Sequence, residues 1–106
     1  MYAQFQRSSD KAKALRKKGG LWLSKARKAA GLTQKQLADA VGIEYYTFIS
    51  QIETGFARIP PDLYEAYARA LNVDAKEFVQ RMLLYYDPYT YKVLYGVPTK
   101  DDLNGR

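Results

Sequence analysis

The residues with the most chemical potential in this sequence are cations. Arg7, Lys11, Lys13, Arg16, Lys17, Lys18, Lys25, Arg27 and Lys28 crowd the first 28 residues against Asp10 alone, a net of +8, whereas the other 78 residues carry eight cations and ten anions, a net of −2. The chemistry such an asymmetry can do is electrostatic: ammonium and guanidinium groups gathered on one side attract a polyanion, nucleic acid above all. A basic face kept only for solubility has the same composition. The apparatus of covalent catalysis is missing. The absence of His and Cys removes the commonest general base at neutral pH, thiol nucleophiles, the usual zinc ligands and any disulfide framework. The carboxylate pair Asp101-Asp102 lies in a polar end with no base, nucleophile or metal partner in view. Neither an enzyme, nor a metal site, nor a cofactor is expected.

At 106 residues the chain suits one small domain with short extensions, because domains are commonly about 100 to 150 residues. So short a chain buries a limited fraction of its surface, and pairing with a second copy is a natural way to add stability. The longest apolar run, Met82 to Tyr86, falls far below the roughly 20 residues that cross a bilayer. Leu21-Trp22-Leu23 is too short for the apolar segment of a secretory signal. A soluble, cytoplasmic protein with no membrane partner is expected.

The elements that must position these charges read as helices. Ser8, Ser9 and Asp10 offer N-caps to a helix of good formers over Lys11 to Lys18 that stops at Gly19-Gly20, so residues 1–19 form a basic N-terminal extension. A domain follows over residues 20–86. Leu23, Ala26 and Ala30 have helical spacing up to Gly31, and Thr33 with Gln36 forms a capping-box pattern before Leu37, Ala38 and Val41. Beyond Gly42 a helix from about Tyr45 to Thr54 carries the apolar stripe Phe48, Ile49 and Ile52. Pro61-Asp62 start a fourth helix and Asp74 a fifth, which ends before Asp87-Pro88 because proline disfavours helical geometry in the residue before it. The tail, residues 87–106, differs in kind. Tyr89 to Tyr95 is aromatic and β-branched and reads as one short strand, which lies either against its own domain or beside the same strand of another copy; residues 99–106 read as a polar, frayed end.

Two helices joined by a glycine-bearing turn, with small Ala38 facing the partner helix, are the parts of a helix-turn-helix. Residues 21–73 resemble the phage-repressor, or XRE/Cro, family of DNA-binding domains through "ARKAAGLTQKQLADAVGI", "ISQIETG" and "YARALNV", in that order. The resemblance implies an all-α, five-helix lambda-repressor-like domain whose third helix enters the major groove while the second crosses the backbone. Base contacts then fall to Tyr45, Tyr46, Thr47, Ser50 and Gln51, with Gln51 able to bond adenine in bidentate fashion and Thr47 to meet a thymine methyl. Backbone contacts fall to Thr33, Gln34 and Lys35 around the start of the second helix and to Arg58 in the loop after the third. Lys11, Arg16, Lys17 and Lys18 are candidates for an additional arm along the DNA backbone.

The sequence departs from the family pattern in one respect: Gly42 to Gly55 is one residue longer than usual, with the extra residue at Ile43-Glu44. If the turn absorbs it, these base contacts stand; if the helix shifts, Tyr46 enters the core and Glu44 faces DNA. The function implied is that of a transcriptional regulator binding double-stranded DNA as a homodimer on an inverted repeat, bacterial or phage in origin. The expected dimer surface comprises Phe78, Met82, Tyr86, Tyr91, Val93 and Tyr95. An alternative is an antitoxin-type module whose C-terminal segment binds another protein and whose DNA binding is autoregulatory.

Overall fold

The double glycine at positions 19 and 20 does not end a helix. In a computed structural model that describes residues 2–105, and their side chains from Asp10 onward, one helix, α1 (Tyr2–Ala29), runs straight through it. The break expected from low helix propensity is absent because the glycines serve tertiary contact instead. A Cβ on Gly20 would lie 2.2 Å from the backbone carbonyl oxygen of Glu53, and one on Gly19 would lie 2.9 Å from the Tyr85 side chain. Only residues without side chains let α1 come this close to its neighbours.

Among the described residues six further helices follow: α2 (Gln34–Val41), α3 (Thr47–Glu53), α4 (Tyr64–Ala70), α5 (Ala75–Tyr86), α6 (Pro88–Tyr95) and α7 (Lys100–Leu103), with a short 3₁₀ turn at Pro61–Leu63 leading into α4. The starts and stops are chemically specified. Thr33 caps α2 by accepting from the Gln36 amide while the Gln36 side chain accepts from the Thr33 amide, the reciprocal box its sequence implies. Asp74 caps α5 through the Glu77 amide. The all-α architecture expected from the sequence is the one observed, and α1 through α5 supply its five-helix body.

Helix α1 packs on α3 and α5, α2 on α3 and α4, and α4 on α5. The core they enclose is drawn from every one of these elements: Leu23, Leu37, Ile49, Ile52, Tyr67, Phe78 and Met82 are almost completely removed from solvent. Phe78 is its aromatic centre, 5.8 Å from the Tyr67 ring and 6.1 Å from that of Trp22. Two of the residues expected on a dimer surface, Phe78 and Met82, thus lie wholly inside the chain's own core. Among the described residues no helix is long and apolar enough to cross a membrane.

The tail corrects two expectations. Tyr89 to Tyr95 is helical, and no strand occurs among the described residues. Local capping outweighs the β propensity of its side chains: Asp87 accepts from the Thr90 amide and hydroxyl, Pro88 occupies the first turn, and Tyr91 packs into the core against α5. Those Thr90 hydrogen bonds hold the Asp87 carboxyl below its ordinary pKa. The buried Tyr91 is likewise lost to any surface shared between copies. The segment after residue 98 is not frayed, because Thr99 and Asp102 form a second capping box that starts α7. Leu103 then packs on the core, and Gly105 lies so close to Trp22 that a Cβ there would come within 3.0 Å of the indole.

Candidate nucleic-acid interface

The interface is built around one buried ion pair. Arg27 of α1 donates from Nε and Nη2 to the two carboxylate oxygens of Glu53, at 2.7 and 3.0 Å, and from Nη1 to the Leu32 carbonyl at 2.8 Å. Gln34, the first residue of α2, donates from Nε2 to Glu53 Oε1 at 3.2 Å. A forked guanidinium against a carboxylate is a strong, directional contact. It ties the end of α3, the start of α2 and the last turn of α1 into one unit. The charge-assisted bond to Glu53 raises the Arg27 pKa further above its already high ordinary value, so the guanidinium stays charged. Beside it, Tyr67 is fully enclosed and its hydroxyl has no hydrogen-bond partner among the described residues. Burial, with the Glu53 carboxylate nearby, pushes its ionisation far above the usual phenol range.

With its inner face fixed, α3 turns a stripe of polar groups outward. Thr47, Ser50, Gln51 and Thr54 follow the i, i+3, i+4, i+7 spacing of a single helix face, and all but the half-buried Ser50 are exposed. Ile49 and Ile52 point the other way, into the core. The turn from Gly42 to Tyr46 precedes the helix: α3 begins at Thr47, and the Phe48 and Ile49 amides bond back to the carbonyls of Tyr45 and Tyr46. Tyr45 is 69 % exposed and Tyr46 52 % exposed, so neither enters the core.

The candidate backbone contacts flank this stripe. Thr33 and Lys35 are exposed at the start of α2, whereas Gln34 is half-buried and committed in part to Glu53. Arg58 is exposed in the loop after α3. That loop rests on α1: Gly55, in the left-handed region at φ 83°, is pressed against the backbone of Arg16 and Lys17 and accepts a bond from Arg16 Nε at 3.3 Å. Arg16 and Arg58 both lie near the Tyr86 hydroxyl, which burial nonetheless pushes up to about 12 and which accepts from the Ile59 amide. Of the four candidate arm cations, Arg16 and Lys17 therefore adjoin the Arg58 loop. Lys18 instead borders the C-terminal segment beside Leu103 and Asn104, and Lys11, seven residues earlier, shares its side of the helix.

Two residues on this face escaped the sequence reading. Thr54 completes the outward stripe. Phe56, beside Gly55, is a large apolar side chain that stands 81 % exposed; its signal in the sequence was an aromatic residue in the short loop between two helices.

A short helix clamped from behind, presenting hydrogen-bonding side chains outward and joined by a tight turn to a helix whose capped end lies nearby, defines a helix-turn-helix protein. A family model described as helix-turn-helix matches residues 23–78. The chain belongs to the XRE-type helix-turn-helix family, a family of DNA-binding regulatory domains. No curated protein matches it.

Proposed function

We propose that the protein is a transcriptional regulator that reads double-stranded DNA in a sequence-specific way as a homodimer on an inverted-repeat operator. The observation that carries this reading is the outward stripe of α3, where Thr47, Ser50 and Gln51 stand exposed or half-exposed beyond Tyr45 and Tyr46 while the opposite face is locked into the core. Thr33, Gln34, Lys35 and Arg58 flank the stripe at positions suited to holding phosphates on either side of a groove. One such unit reads few base pairs, so two copies on a two-fold axis would read half-sites about 34 Å apart.

The surface available for that pairing is narrower than the sequence implied. With Phe78, Met82 and Tyr91 inside the core and Tyr86 mostly covered, Val93 and Tyr95 remain, joined by Tyr89, Leu94 and Val97, all exposed on or just beyond α6. An apolar patch such as Tyr89 and Val93 make, four residues apart on one side of α6, is what an interface between copies needs. The same patch would serve another protein in an antitoxin-type arrangement.

Selection of bound duplexes from a random pool tests the proposal. The wild-type protein is expected to enrich a two-fold symmetric site, and Gln51→Ala to flatten preference at one position of each half-site, at a cost of about 1 to 3 kcal/mol for the lost bidentate contact. Enrichment of no motif, or of an asymmetric one, overturns it. Arg58→Ala should act differently, weakening all duplexes alike and lowering the slope of log affinity against log salt by about one. Titrations at several salt concentrations check this, and an unchanged slope at equal thermal stability counts against the phosphate role.

A further inference from the structure

The continuous α1 helix divides the basic residues expected to form a DNA-backbone arm and groups Arg16 and Lys17 with Lys13 on one flank. A helix of 28 residues is about 42 Å long at 1.5 Å per residue, and the molecule's longest dimension is 42 Å, so α1 sets its length. The helix is clamped to α3 and its following loop at Arg27, Gly20 and Arg16-Lys17. From Lys17 back to Tyr2 it continues for about 22 Å. Arg16 and Lys17 meet the Gly55 loop, and Lys13, three and four residues earlier, lies one turn further along the same flank.

These charges are not neutralised inside the molecule. Among the described residues the one ion pair is Arg27–Glu53; Lys13, Lys17 and Arg58 are exposed, and Arg16 spends its Nε on a carbonyl. Asp10, a turn beyond Lys13, is the one acidic residue among the first 28. Three cations on a rigid helix therefore extend, without a break, the basic edge that begins at Arg58.

We infer that the Lys13–Arg16–Lys17 flank of α1 is a second contact surface for the DNA backbone, lying against phosphates outside the base pairs that α3 reads. The inference rests on the DNA-binding function proposed above. Its occupant is a duplex, because the surface is an unpaired cationic track continuous with the phosphate-binding loop and carries no apolar groove. Lys18 and Lys25 lie on the side toward Leu103 and Asn104 and take no part.

The test uses the full chain and two duplexes carrying the selected operator, one trimmed to its ends and one extended by a helical turn on each side. A Lys13→Gln/Lys17→Gln variant keeps Arg16, which bonds Gly55, and changes only exposed side chains, so its thermal melting should match the wild type. On the extended duplex it should bind about tenfold more weakly at physiological salt, with a salt slope lower by about two. On the trimmed duplex the two proteins should bind alike. Arg58→Ala, as a comparison, should lose affinity on both. Equal affinity of variant and wild type on the extended duplex overturns the inference, as does an equal loss on both duplexes. If the wild type binds neither duplex, the DNA-binding proposal itself fails, a result distinct from failure of the flank alone.

Discussion

Glu53→Ala is expected to destabilise the fold by about 3 to 5 kcal/mol, because it strands a buried guanidinium without its counter-charge. Arg27 is only 8 % exposed, so water cannot replace the two carboxylate contacts it would lose. For a domain whose total stability is of order 5 to 15 kcal/mol, this is a large fraction. Equilibrium unfolding in urea provides the measurement, with the midpoint expected to fall at constant slope. The double variant Arg27→Met/Glu53→Leu should recover most of the loss, since removing both charges also removes the cost of burying them. A single variant within about 1 kcal/mol of the wild type would show that the pair does not hold the fold. Variants that still fold should bind DNA less well, because the Gln34 and Leu32 contacts that fix the start of α2 go with the pair.

Gly20→Ala is expected to destabilise by about 2 kcal/mol or more, although alanine is the better helix former by about 1 kcal/mol. The reason is the kind of atom it meets. The new methyl would sit 2.2 Å from the Glu53 carbonyl oxygen and 2.6 Å from its carbon, and backbone cannot turn aside as a side chain can. Relief requires α1 and the end of α3 to separate, opening the core at Leu23 and Ile52. Gly19→Ala makes the contrast: its neighbour is the Tyr85 side chain, which has some freedom to move, so the loss should be smaller. A melting temperature for Gly20→Ala at or above that of the wild type would refute this account of the double glycine.

Much of the helical body was legible because its signals are local. Thr33 with Gln36, Asp74, Gly42 and the residue before Pro88 each mark a boundary through their own backbone chemistry, and the structure places helix ends there. The apolar spacing of Ile49 and Ile52 likewise gave the inner face of α3, which in turn leaves Thr47 and Gln51 outside. What was not legible depends on partners distant in the chain. The same Gly-Gly that reads as a stop becomes a contact once Glu53 and Tyr85 lie against it. The tyrosines of α6 have strand-like composition, yet Asp87 and the space for Tyr91 beside α5 decide otherwise. Phe78 and Met82 seemed surplus to a small core, whereas the added α1 and α6 surfaces make room for them. Of the candidate site, residue types and the face were readable; the commitment of Gln34 to Glu53 and the division of the basic residues between two sides of α1 were not.

The hold on α3 is uneven along its length. Its rear end is gripped by Arg27, Gly20 and the Gly55 contact, while its leading end follows an open turn with Tyr45 and Tyr46 in solvent. Such an arrangement leaves the tip at Tyr45 and Tyr46 outside the packing that Ile49 and Ile52 anchor. Variation in what the tip touches is thereby separated from the demands of folding, so new binding preferences can arise in the turn while the anchorage stays as it is.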